Sequence, residues 1–321
     1  MKKFNKFIIA GLVLFTFSCE NDSNIDNTNV TNPTENRAAA LVTPKKFLFD
    51  AKKAETAGNA DWVLDADSSP QRFPTPLQAT ITATTPENYW KGGISAWGIA
   101  LVKLGHTVET LPSTVAITYG GTGVQDLKNY DVYVVDEPNI RFTAAEKTAI
   151  MNFVKNGGGL FMISDHTASD RNNDGWDSPA IWNDLMSNNT IQNNPFGFSI
   201  NLNTFSETTS NRLSATTNPI LNGTQGIVSQ LKYSAGASIT TNVAANATVQ
   251  GLIWRGTSTQ GSTNVMCATA IYMLGRVVVI GDSSPADDGT GATGDTLYPG
   301  WTELASHSRL HMNASLWLAK L

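Results

Sequence analysis

Asp165 and His166 stand side by side at the end of the apolar run Leu160-Phe161-Met162-Ile163-Ser164. A carboxylate beside an imidazole can activate water or help to hold a metal ion. Three other apolar runs also finish on acids: Phe47-Leu48-Phe49 on Asp50, Val132-Tyr133-Val134-Val135 on Asp136 and Glu137, and Val277-Val278-Val279-Ile280-Gly281 on Asp282. Burying an apolar strand requires no acid at its end, so the repetition points to a site. Carboxylates brought together raise one another's pKa unless a cation lies among them. A bound divalent ion would relieve the repulsion and could lower the pKa of a bound water. The structural alternative is that several of these acids cap the loops and helices that follow.

Further polar loops follow the same runs. Asp170-Arg171-Asn172-Asn173-Asp174-Gly175-Trp176-Asp177 carries oxygen ligands at alternate positions and then a glycine, like the first half of a calcium-binding EF-hand loop. Ile181 stands where that loop would end on a bidentate acid. A solvated turn held by Asx side chains is the competing assignment. Gly281 to Gly291 offers Asp282, Ser283, Ser284, Asp287 and Asp288. Its Gly-Asp-Ser resembles the nucleophile block of the SGNH esterases, which carry it after their first strand; here it follows the last. Glu303, His307 and His311 are four apart and share one helix face. His307 is the one placed to reach the strand ends. Asn59, Asp61, Trp62, Asp65 and Asp67 form another loop on the same edge. Trp62, Trp176 and Trp301 beside carboxylates could grip a sugar ring or anchor long loops.

Short apolar runs rich in β-branched and aromatic residues read as buried strands. Near-continuous apolarity with helices between suggests a parallel sheet covered on both faces. Strands are expected at 45–50, 106–111, 132–136, 160–165 and 276–282. Trp90, Ile94, Trp97, Leu101 and Leu104 mark a helix from about Asn88, capped by Gly105. Thr143 and Glu146 form a capping box for the next helix, which stops at Gly157-Gly158-Gly159. The last helix spans about Thr302 to Lys320. Residues 193–256, rich in Asn, Thr and Gly, read as a β-rich excursion before the last core strand, either an added hairpin layer or a lid. In such sheets ligands bind at the carboxyl ends of the strands.

This order resembles the flavodoxin-like fold of the class I glutamine amidotransferase-like superfamily, in particular its ThuA-like and gliding-motility-related branches. The resemblance rests on Phe153-Val154-Lys155-Asn156-Gly157-Gly158-Gly159-Leu160, Asn218-Pro219-Ile220-Leu221-Asn222-Gly223, Gly275-Arg276-Val277-Val278 and Asn313-Ala314-Ser315-Leu316-Trp317-Leu318. Amidotransferase members carry a nucleophilic Cys in the turn after the fourth strand. Ser164-Asp165-His166-Thr167 stands there instead. Cys267 lies in the apolar run Val265 to Leu274 and reads as a small buried hydrophobe.

Met1 to Ser18 has a lysine-bearing start and an apolar middle too short to span a bilayer comfortably. Ser18-Cys19 resembles a bacterial lipoprotein cleavage site, which implies a lipid on Cys19. Residues 19–43 read as a flexible tether, because they carry too little apolar surface to offset ordering entropy. A single α/β domain is expected from 44 to 321. With Cys19 lipidated only Cys267 remains, so no disulfide framework is expected. A formal charge of −5 argues against nucleic acid, which needs a basic face.

The expectation is thus a cell-envelope lipoprotein of the outer membrane, periplasmic or surface-exposed. Its partners would be the membrane and a glycan or another small polar substrate. One reading is a hydrolase dependent on a divalent cation such as calcium. Asp165, His166 and Asp282 would do the chemistry, while Asp61, Trp62, Asp136, Glu137, Ser283 and His307 hold substrate. Asp50, Asp170, Asn172, Asp174, Asp177 and Asp287 would hold metal. The other reading is a catalytically silent glycan-binding or assembly lipoprotein. A perturbed titrating group in a closed cleft favours the first, and an open groove with exposed Trp the second.

Overall fold

The computed structural model describes residues 43–54, 60–66 and 76–321. The leader, Cys19, nearly all of the tether, Asn59 and Asp67 lie outside the described residues.

The expected strands form as β1 (Lys46–Ala51), β2 (Thr107–Pro112), β3 (Val132–Asp136) and β4 (Gly159–Ile163), with α1 (Ser95–Lys103) between β1 and β2 and α2 (Ala144–Lys155) between β3 and β4. After β4 come α3 (Ser178–Ser187), β5 (Phe198–Ile200), β6 (Phe205–Thr209), β7 (Asn222–Gly223), β8 (Gly226–Ile227), β9 (Leu231–Gly236), β10 (Ile239–Thr241) and β11 (Gln250–Trp254). The chain ends with β12 (Val265–Tyr272), β13 (Gly275–Ile280), α4 (Gly300–Glu303) and α5 (Ala305–Leu318).

The main sheet has the order β2-β1-β3-β4-β13-β12-β10-β5, with β11 also pairing β12. From β2 to β13 every pair is parallel, and from β13 outward every pair is antiparallel. The parallel half is the doubly wound arrangement expected of a flavodoxin-like sheet. Alternation along each strand sends side chains to opposite faces. Phe47, Phe49, Val134 and Phe161 pack with α1 and α5, through Trp97, Leu310 and Leu318. Leu48, Val135 and Met162 pack with α2 and α3, through Ile150, Phe153, Trp182 and Leu185.

Several boundaries differ from expectation. The first helix begins at Ser95 rather than near Asn88. Gly92 and Gly93 pass so close to the backbone of Val63 and Asp61 that a side chain on either would collide, and this tight crossing precedes the helix. The last helix is broken at Leu304, whose extended backbone separates α4 from α5. The run Val265 to Leu274 becomes β12 and the tip of its hairpin with β13, and Cys267 is buried there as a free thiol pushed up to about 12 by burial. The excursion is not one added layer: β5, β10 and β11 widen the main sheet, and only β6–β9 and β7–β8 form separate ribbons. The Thr143–Glu146 capping box forms as expected, and Gly105 follows α1 with a φ of +87°.

Candidate functional site

The carboxyl ends of β3, β4 and β13 open into a partly enclosed cavity of about 230 Å³. Trp62, Glu137, Asp165, His166, Arg171 and Ser283 line it, and Ser234, Ala235, Ser284 and Tyr298 complete the wall.

Glu137 is the first residue beyond β3, and its φ is +41°. A non-glycine residue in that region is strained by roughly 1–3 kcal/mol. The bend sends its carboxyl into the cavity, and it is only 1% exposed. The Trp62 indole N–H donates to Glu137 Oε2 at 2.9 Å, and the Ser283 hydroxyl donates to the same oxygen at 3.0 Å. An oxygen taking two donors behaves as an acceptor. The proton therefore belongs on Oε1, which is buried and accepts no hydrogen bond. Burial, then the neighbouring Asp165 charge, push Glu137 well above the usual carboxylate range. Ala235, also in the lining, is a second strained residue at φ +72°.

Asp165 lies two residues beyond β4. Burial raises its pKa, and the buried Asp282 charge raises it further. Arg171 Nη2 approaches Asp165 Oδ2 at 3.4 Å, and Arg171 Nε approaches Glu137 Oε1 at 3.5 Å. His166 Nδ1 is 3.5 Å from Asp165 Oδ2. Burial and the Arg171 charge hold that imidazole below its ordinary pKa, so it is neutral at pH 7.

Asp282 lies behind the cavity and is fully buried. It accepts the amide of Ser234 and, at 2.8 Å, that of Ser284. Burial raises its pKa as well. The excursion thus anchors the last site loop through Ser234. Glycine is required at this crossing: a Cβ on Gly236 would lie 2.6 Å from the Cβ of Asp282.

The other expected residues have different positions. Asp50 accepts the amides of Lys52, Lys53 and Ala54 and the Tyr133 hydroxyl, and so organises the turn after β1. Asp61 accepts the Ala292 amide at 3.1 Å, tying two loops together. Asp136 is buried at the end of β3 and does not line the cavity. Asp170 accepts the amides of Asp174 and Gly175, and Asn172 and Asp174 accept the amides of Asp174 and Trp176. Asp177 caps α3 through Ala180. This loop is an Asx-turn arrangement. Its Arg171 and Asn172 hang on Asn139, which carries Arg171 to the cavity. Asp287 accepts the amides of Gly289 and Tyr298, and burial pushes it up to about 7. Among the described residues no three His, Cys, Asp or Glu side chains gather as metal ligands.

His307 is sealed between the Gly300 carbonyl at 2.7 Å and the Lys232 amide at 3.0 Å, away from the cavity. His311 is a core residue among Trp97, Phe161 and Trp301, held down to about 3 by burial. Trp301 is buried, and Trp176 lies under Arg141 at 3.6 Å, so both anchor loops.

Sequence reasoning missed Arg171, Ser234, Ala235 and Tyr298. Arg171 carried a readable signal, a lone cation in an acidic loop directly after an acid-terminated strand. The other three are brought in by distant chain.

No family model and no curated protein matches this chain. The N-terminal domain of mmIFT52 is similar in fold, with a TM-score of 0.52 and 13% identity over 85% of this chain and 97% of that one. A cytoplasmic protein from Salmonella typhimurium aligns at a TM-score of 0.48 and 12% identity, over 85% of this chain and 98% of its own. A ThuA-like protein from Parabacteroides merdae aligns at 0.37 and 12%, over 86% and 90%. The mmIFT52 likeness is one of fold, and at 13% identity it carries no residue role across. The fold itself is α/β and flavodoxin-like, as the strand order shows.

Proposed function

We propose that this chain is a cell-envelope lipoprotein hydrolase whose water is activated by a proton-sharing carboxyl pair, Glu137 and Asp165. The observation that carries the reading is the pair itself: two buried acids that line one partly enclosed cavity at the strand ends and face the same Arg171 guanidinium. Like carboxylates this close share one proton. Asp165 is the base that takes a proton from water. Glu137, its Oε2 held by Trp62 and Ser283, is the acid that protonates the leaving group. Arg171 stands beside both oxygens, where it can meet negative charge developing on an attacked carbonyl. Glycosidases hold their two carboxyls on either side of the scissile bond, whereas Glu137 and Asp165 both face the one Arg171 guanidinium. An ester or amide centre on a small polar substrate, such as a substituted glycan, fits better. The lining of hydroxyls, carboxyls and an imidazole favours a hydrogen-bonding substrate. Trp62 is buried and bonded to Glu137, so it offers no exposed face for binding alone.

A divalent cation, calcium included, has its place in this reading beside Glu137 and Asp165, where it would replace the shared proton. The membrane enters through the lipid proposed on Cys19.

The test is turnover of chromogenic polar esters, amides and glycosides by the full lipoprotein. Asp165→Asn and Glu137→Gln should each lose about 10²–10⁴-fold while remaining folded. Unchanged turnover in Asp165→Asn would remove the pair from the chemistry. A thermal midpoint that rises with an added cation, but not in Asp165→Asn, would place the ion there.

A further inference from the structure

The end of the sheet opposite the cavity carries a surface that the proposed chemistry does not use. β1, β3, β4 and β13 are parallel, so their first residues share that end. The tight turn joining β12 to β13 projects there. Ile271, Met273 and Leu274 on this hairpin are 44%, 61% and 70% exposed. Scattered exposed apolar residues are ordinary, but three on one hairpin tip form a patch.

Cationic residues lie beside the tip. The Leu274 amide bonds to the carbonyl of Lys155, the last residue of α2. Lys320 Nζ and Leu274 Cβ both lie within 4 Å of the position a Cβ would take on Gly157, so the two side chains are neighbours. Arg276 donates to the carbonyl of Trp317, three residues before Lys320, so these two cations share the end of α5, and burial with the charges of Arg276 and Lys45 holds Lys320 below its ordinary pKa. The acid facing them is Asp131, paired to Lys45 at 3.1 Å. Arg276 lies over Trp317, 5.0 Å from the ring, and donates to the Trp317 carbonyl. Trp317 is partly exposed near the end of α5. The combination of apolar tip, aromatic ring and lysine collar suits the boundary between acyl chains and headgroups. It occurs in a chain of formal charge −5, so it is local rather than general. β1, the first strand, also starts at this end.

We propose that the β12–β13 hairpin tip and its lysine collar dock on a bilayer bearing anionic headgroups, with Met273 and Leu274 at the acyl boundary. The lipid on Cys19 tethers the protein, and the docked face orients it. The strands run from this face toward the cavity, so docking turns the cavity away from the bilayer.

The experiment uses the full lipidated chain carrying a fluorophore on Met273→Cys or, at the cavity end, on Ile140→Cys. Ile140 is 48% exposed. The native thiols do not compete, because Cys267 is buried and Cys19 carries the lipid in this reading. In phosphatidylethanolamine vesicles carrying phosphatidylglycerol, iodide should quench the label at 273 roughly threefold less than the label at 140. Lys155→Glu with Lys320→Glu should abolish that difference. Equal quenching at the two positions would overturn the proposal. So would protection as strong in neutral phosphatidylcholine vesicles. Protection that grows with protein density at fixed lipid would instead identify a second copy of this chain and overturn the bilayer as occupant.

Discussion

Protons govern Glu137, Asp165 and Asp282. Burial raises all three pKa values above those of an unfolded chain, so the folded protein holds protons that the unfolded one releases. Their contribution to stability is complete below about pH 4, where both states are protonated. It falls as pH rises through the folded values. Asp287 and Asp288, pushed up to about 7 and about 6, act in the same direction. Glu146 and Asp184 act oppositely: Lys53 and Lys147 hold them low, so their contribution is lost under acid. The thermal midpoint should therefore be highest in mildly acidic buffer and decline toward pH 8. Asp165→Asn cannot ionise, so it should flatten that decline. Calorimetry of wild type and variant across the range checks this, and an equal alkaline slope in both would contradict it.

Two elements show how local rules position the site. Thr143 closes a capping box with Glu146 at the start of α2, and Thr143→Ala should cost about 0.5–2 kcal/mol without touching the cavity. Gly281 precedes Asp282, and a side chain there would strike the Ala237 carbonyl. Gly281→Ala should therefore displace Asp282 and lower both stability and turnover. Urea unfolding beside an activity assay separates the two variants. The contrast also explains what could be read from the chain. β1, β3, β4 and β13 were legible because both of their faces are apolar, and Thr143 because capping is local. Trp62, Glu137, Asp165, His166 and Ser283 were legible because they end or follow such strands. Asp50, Asp177 and Asp287 follow the same pattern, yet their oxygens are taken by backbone amides, which composition does not reveal. Arg171 depends on Asn139, and Ser234 on a strand 48 residues from Asp282; no short pattern encodes either.

At the scale of the molecule, two opposed ends do different work. The cavity end gathers strained, proton-holding residues at the carboxyl termini of the strands. The other end gathers Met273, Leu274 and the lysine collar. Between them the sheet continues across β13, which lies between β4 and β12 although nearly the whole chain precedes it. Parallel pairing of distant segments forms slowly. In pulse-labelling hydrogen exchange during refolding, amides of Val277–Ile280 should gain protection after those of α2; simultaneous protection would show that the sheet closes in one step. Until β13 arrives, β4 and β12 each present a bare edge, the form of sheet that invites pairing with another copy. The nascent chain is thus the vulnerable form. Before β13 is made it carries neither Asp282 nor Ser283, so Glu137 lacks one of the two donors to its Oε2. Its dependence on chaperones should end only when the final strand slots into the gap held open for it.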